Sequence, residues 1–264
     1  MTPGVRVARA AAQFTVGAML ASMQRPGNPR GVVVERFGDA TATACRTQPD
    51  LDFRNTLAGL GAADAGRVGE ITAFYRSLGI RGWAEVPPGE AYDGVAEALA
   101  AAGWGRVGEH CSFAAPLSPG PSAGGDVAIR VVDGDSVEEF ARTLVAGHEV
   151  PDGDRAEAVV DICGWLSRPG WRLYLAEVDG HPAAAAVLLT TSDGAAFLAN
   201  AGTRPAYRGL GCQTALIRRR LADGLEASCD LACALAKPGS ASQRNIERAG
   251  MQLCHTQAIW WMGP

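Results

Sequence analysis

What this chain has little of narrows its function before any motif is read. Charge of one sign is not in excess: 24 Lys and Arg stand against 28 Asp and Glu, a formal net charge of −4. A nucleic-acid binder needs a basic face, which this balance does not supply. No apolar run reaches the roughly 20 residues of a membrane-spanning helix. Metal-type cysteine spacing is missing as well. Cys45, Cys111, Cys163, Cys212, Cys229, Cys233 and Cys254 are an odd number and contain no Cys-x-x-Cys pair. Cys229 and Cys233 lie four apart in a strand-like stretch, about 13 Å between Cα atoms and beyond disulfide reach. The expectations are reduced thiols, no metal, no nucleic-acid or membrane partner, and a cytoplasmic location. Arg6 and Arg9 ahead of residues 10–23 have the outline of a secretion signal, but Gln13 and Thr15 interrupt the apolar run. Phe14, Ala18 and Ala21 fit one face of a folded helix instead.

What is present is the composition of a folded protein, 47% hydrophobic and 20% charged. Its length suits one large domain or two small ones. Residues 117–126, Leu-Ser-Pro-Gly-Pro-Ser-Ala-Gly-Gly-Asp, form the clearest linker. The predicted division is therefore 1–117, a linker at 118–125, and 126–264. Apolar spacing predicts helices at 7–24, 65–78, 91–102, 155–167, 214–225 and 240–249. A further helix carries Val137, Phe140, Leu144 and Val145, capped by Asp135 or Ser136. Strands are predicted at 32–34, 83–86, 127–132, 171–178, 182–190, 195–201, 230–236, 251–255 and 258–262, with one or two within 107–117. Asp179-Gly180 supplies a hairpin turn.

The chain is organised around residues 203–215, Thr-Arg-Pro-Ala-Tyr-Arg-Gly-Leu-Gly-Cys-Gln-Thr-Ala. A strand leads in, a helix leads out, and the turn between them delivers unpartnered N–H groups to a helix start. Such a turn is a seat for an anion. The stretch resembles the pyrophosphate-binding motif of the GCN5-related N-acetyltransferases, Arg/Gln-x-x-Gly-x-Gly/Ala. Arg208 and Gly211 match it, and Gln213 departs at the last position. The order β-α-α-β-β-β-α-β-α-β-β over 126–264 is also that of the family. The resemblance implies an α/β acyl-CoA N-acyltransferase fold, with a mixed, mostly antiparallel sheet flanked by helices. The first half looks like a degenerate copy. Ala102-Gly103-Trp104 parallels Ala249-Gly250-Met251, and the pair 65–78, 83–86 parallels 214–236. It has no Arg-x-x-Gly turn, so no cofactor is assigned to it; two unrelated α/β segments are the alternative.

The resemblance further implies acetyl-CoA as co-substrate and a small-molecule amine as acceptor, with transfer by direct attack in a ternary complex. Ala201, Gly202, Thr203, Arg208, Gly209, Leu210, Gly211, Cys212, Gln213 and Thr214 are the implied cofactor-binding residues. The strand edge at 201–203 would pair with the pantetheine amides. Where many members have a Tyr that protonates the thiolate, this chain has Ile246. Ser242 or Asn245 is the substitute, Ser242 being equally readable as a helix cap. His148 and Glu149 are the candidate bases, or else a solvated loop pair, and Asn200 would orient substrate or water. Arg218, Arg219 and Arg220 either reach the ribose 3′-phosphate or, for at least two of them, form a solvated face with Asp223 and Glu226. Of Trp260 and Trp261, alternation sends one to each face of a strand. Competing readings are a catalytically silent CoA-binding sensor, an O-acyltransferase, or an acyl-thioester decarboxylase. The sequence allows either a monomer or a homodimer.

Overall fold

In the computed structural model, which describes residues 1–89, 92–118 and 127–263, the chain packs as two units. The N-terminal unit is Ala11–Ser112, Ala236–Pro238 and Leu253–Pro264; the C-terminal unit is Met1–Ala10, Phe113–Leu235 and Gly239–Gln252. The linker expected at 118–125 lies, from 119 on, outside the described residues. A single cut there does not reproduce the units, for two physical reasons. The first turns of helix α1 (Pro3–Met23) are tied to the C-terminal unit by Arg6, which donates to Asp230 and to the Asp193 carbonyl. The last strand of the chain is hydrogen-bonded into the N-terminal unit.

In that N-terminal unit β1 (Val32–Phe37), β2 (Ala40–Cys45), β3 (Thr56–Ala58), α2 (Val68–Leu78), β4 (Trp83–Val86), α3 (Asp93–Ala101) and β5 (Trp104–Pro116) follow in order. The sheet order is β1-β2-β3-β4-β11-β5, with β11 (Gln252–Met262) inserted beside β4. Leu57, Ile71, Tyr75, Leu99 and Trp104 form its core with Met262. Sequence reasoning missed β2 and β3 and divided β11 in two. Thr256 and Gln257 separate the two predicted strands, but the strand runs through them. Gln257 donates to Glu85 of β4, which also meets His110 Nδ1 of β5 at 2.6 Å. Trp260 packs on the core, and Trp261 lies against Trp83 at 6.2 Å between ring centroids.

The C-terminal unit contains β6 (Ala128–Val131), α4 (Val137–Gly147), α5 (Asp152–Cys163), β7 (Trp171–Val178), β8 (His181–Thr190), β9 (Ala195–Thr203), α6 (Cys212–Glu226), β10 (Leu231–Ala236) and α7 (Ala241–Arg248). Its sheet runs β6-β7-β8-β9-β10, with β6–β7, β7–β8 and β8–β9 antiparallel and β9–β10 parallel. Asp179 and Gly180 both take positive φ in the predicted β7–β8 turn. Phe140 and Leu144 of α4 are fully buried, each stabilising by about 1.5–3 kcal/mol. Of the two expected cap residues Ser136 holds the N-cap position of α4, but its side chain makes no capping hydrogen bond. Asp133 instead accepts from both the N–H and the Oγ–H of Ser136. One succession occurs twice along the chain: a helix, a strand, a helix and a long strand run α2-β4-α3-β5 and again α6-β10-α7-β11. The fold is thus a mixed α/β sheet architecture with helices on its faces, in two parts.

Candidate active site

The site begins with an irregularity in β9. Against β8 the register runs Ala186↔Ala201 and then Val187↔Ala199, which leaves Asn200 as the extra residue of a β-bulge. Its φ is +25°, and Asn tolerates positive φ better than most side chains. On the opposite edge β9 pairs with β10 only at residues 195–197, although both strands continue. Backbone from 198 to 203 is therefore without a ladder partner on that side, and an extended ligand can pair there as a peptide adds to a sheet edge.

Where β9 ends, residues 205–207 make one 3-10 turn and the chain enters α6 at Gly211. Gly209 and Gly211 have φ of +84° and +81°, which explains the residue type. A Cβ at either would meet nothing within 4 Å, so both face open space. Among the described residues, the backbone N–H groups of 209–214 have no protein acceptor. Gln213, the departure from the motif, has a role of its own: Nε2 donates to Thr203 Oγ1 at 2.9 Å, tying the helix start to the strand edge.

The strand edge and helix start open into one cavity of about 530 Å³. Of the expected cofactor residues, Ala201, Gly202, Thr203, Arg208, Gly209, Gly211, Cys212, Gln213 and Thr214 line it; Leu210 does not and is half exposed. Asn200, His148, Ser242 and Asn245 also line it. Glu149 does not. Its Oε2 accepts from Arg208 Nη2 at 2.6 Å in an exposed ion pair, so the Arg208 guanidinium already has a partner of the protein's own. Ser242 is not the cap of α7: that is Ser240, whose Oγ accepts from the Gln243 N–H at 3.1 Å. Asn245 Oδ1 accepts from Arg248 Nη2.

His148 Nε2 lies 2.6 Å from Asn200 Oδ1. Desolvation by the surrounding protein lowers the imidazole pKa from 6.5, and the hydrogen bond to Asn200 works the other way. The residue as a whole keeps solvent contact, so water screens both effects. No Asp or Glu is among the lining residues, whereas Arg208, Arg220 and Arg248 are. Among the described residues no group of three or more His, Cys, Asp or Glu is placed to hold a metal.

Two residues that build the site escaped sequence reasoning. Gly147, the last residue of α4, lies against β9: a Cβ there would stand 2.6 Å from the Gly202 carbonyl carbon. Only its place just before the His148-Glu149 loop could have signalled it. Arg220, expected with its neighbours on a solvated face or at a phosphate, is 2% exposed. Its Nη1 donates to the carbonyls of Val187 at 3.1 Å and Ala199 at 3.2 Å, the pair beside the bulge. Arg219 does pair with Asp223, at 2.8 Å.

A family profile of the acetyltransferase (GNAT) domain matches residues 122–234. A search of curated proteins returns no match. Solved structures similar to this chain include a GCN5-related N-acetyltransferase from Kribbella flavida, 20% identical over 94% of this chain and 96% of that one, with a TM-score of 0.62. A tandem GNAT protein from the clavulanic acid biosynthesis pathway is 13% identical, over 97% and 95%, with a TM-score of 0.61. A GCN5-related N-acetyltransferase from Sphaerobacter thermophilus is 14% identical, over 98% and 93%, at 0.56. At these identities the likeness speaks for the fold alone. Residues 122–234 thus match the acetyltransferase (GNAT) domain, and the fold of the chain is similar to those of solved GCN5-related N-acetyltransferases, a tandem GNAT protein among them.

Proposed function

We propose that this chain is an N-acetyltransferase that moves the acetyl group of acetyl-CoA to the amine of a small molecule within a ternary complex. The observation that carries the reading is the joining, in one cavity, of a free strand edge beside a bulge and a helix start with unpartnered N–H groups. The N–H groups of 209–214 and the α6 dipole suit a diphosphate. The β9 edge at 201–203 suits the pantetheine amides, and the backbone freed at the bulge can donate to a thioester oxygen. Acetyl-CoA would supply an activated acyl group and a thiol that leaves readily, with a reference pKa near 8.5.

His148 is the base in this reading. With Nε2–H donating to Asn200, its Nδ1 lone pair is the one left to take a proton from the incoming ammonium. Ser242 and Asn245, on the α7 side of the cavity, are assigned to the departing thiol. Glu149 is assigned to hold Arg208. Holding amine and thioester together supplies much of the acceleration. The test is thiol release from acetyl-CoA across a panel of small amines, alongside calorimetry with free CoA. Amine-dependent release supports the reading. CoA binding without release would instead favour a sensor, for which the missing Tyr at Ile246 speaks.

A further inference from the structure

Arg220 is the largest fully buried side chain among the described residues, and its charge is not neutralised there. Charged groups are almost never fully buried unless paired. Its protein partners are all carbonyls: Leu216 for Nε, and Val187 and Ala199 for Nη1. The nearest acid on the same helix, Asp223, is already held by Arg172, Arg219 and Tyr174. Among the described residues no acceptor takes Nη2, yet Arg220 lines the cavity. Burial lowers its pKa to about 10, which still leaves it charged at neutral pH.

The position along α6 matters too. Arg220 is eight residues past Cys212, about 12 Å from the helix start at 1.5 Å per residue. It is therefore remote from the diphosphate seat and adjacent to the bulge at Asn200. Arg208 is paired to Glu149, and no lining residue is acidic. The end of the cavity next to the bulge thus holds a desolvated guanidinium with a donor to spare and no carboxylate of the protein's own.

Resting on the acyltransferase reading above, we propose that Arg220 is a substrate-recognition residue that receives a carboxylate. That carboxylate is carried either by the acyl chain of the thioester or by the amine acceptor. Either source brings the same chemistry, a charge-assisted hydrogen bond in a low-dielectric site.

Two arms of one kinetic experiment on the full chain distinguish the sources: acetyl-CoA against succinyl-CoA with one amine, and 2-phenylethylamine against phenylalanine with acetyl-CoA. The expected result is that the carboxylate-bearing member has a kcat/KM higher by about tenfold or more in one arm. Arg220→Met brings that ratio near unity and Arg220→Lys keeps part of it, each ratio being taken within one variant so that any general loss of CoA affinity cancels. Parity in both arms with CoA still bound overturns this inference alone, as does a preference that survives in Arg220→Met. Should Arg220→Met fail to fold, the wild-type ratios and the Lys variant decide. A flat CoA titration of the wild type overturns the proposed function and this inference with it.

Discussion

His148 Nε2 and Asn200 Oδ1 stand 2.6 Å apart, joining the loop after α4 to the bulged residue of β9. One contact therefore links the candidate base to the residue that the bulge leaves without a partner in β8.

The first prediction concerns pH. Desolvation holds the His148 pKa below 6.5, so the proton-accepting form persists to lower pH than in a free histidine. The acid limb of kcat/KM, which reports the free enzyme, is expected below pH 6.5, and His148→Gln lowers kcat by about a hundredfold or more while removing that limb. The unfolded chain binds this proton first, so His148 withdraws stability as pH falls from 6.5 towards its folded value. An unchanged pH–rate profile in His148→Gln would count against the base.

Asn200 separates backbone need from side-chain need. Asn200→Gly is expected to keep the bulge, because glycine accepts positive φ, while lowering turnover through loss of the His148 contact. Asn200→Val is expected to destabilise by about 1–3 kcal/mol from backbone strain. Denaturant unfolding of both variants beside steady-state rates checks this, and equal stability of the two would refute it.

Gly147→Ala places a methyl group 2.6 Å from the Gly202 carbonyl carbon, a backbone atom that cannot swing away. A loss of about 1–3 kcal/mol is expected, with weaker CoA binding because β9 is pushed from its place. Thermal melts with calorimetry test it; a fully stable variant with native affinity would show that the approach is not required.

Gly211→Glu is expected to abolish acetyl-CoA binding by setting negative charge against the diphosphate seat. The variant also strains the backbone, since φ there is +81°. Gly211→Ala is the necessary control, expected to cost about 1–2 kcal/mol of stability from φ alone. Calorimetry must show Glu far more damaging than Ala, or the anion seat is misassigned.

Much of the fold could be read from the sequence because local period and tertiary role agreed. The β7–β8 hairpin announced itself through Asp179-Gly180, and α7 through its place before Gly250. The failures came where side chains satisfy one another across strands. Thr256 and Gln257 looked like a break because the partner of Gln257, Glu85, is distant in sequence. The β1–β2 hairpin turns at Gly38, but its second strand is mostly alanine and threonine, a composition with weak period.

Within the site, the cofactor turn was legible because glycine at positive φ and a helix start are local events. The bulge was not, since it exists only in the register against β8. Arg220 was misread for the same reason: three consecutive arginines look alike in sequence, and only packing decides that one of them goes inside.

The pairing of β11 with β4 has a bearing on synthesis. The ribosome makes β4 before β6–β10 and β11 after them, so the N-terminal sheet waits, one edge uncovered, while those strands and α4–α7 are translated. An uncovered edge of this kind invites pairing with other chains. Expression of residues 1–117 by themselves should accordingly yield aggregates, and supplying residues 251–264 as a separate peptide should restore solubility.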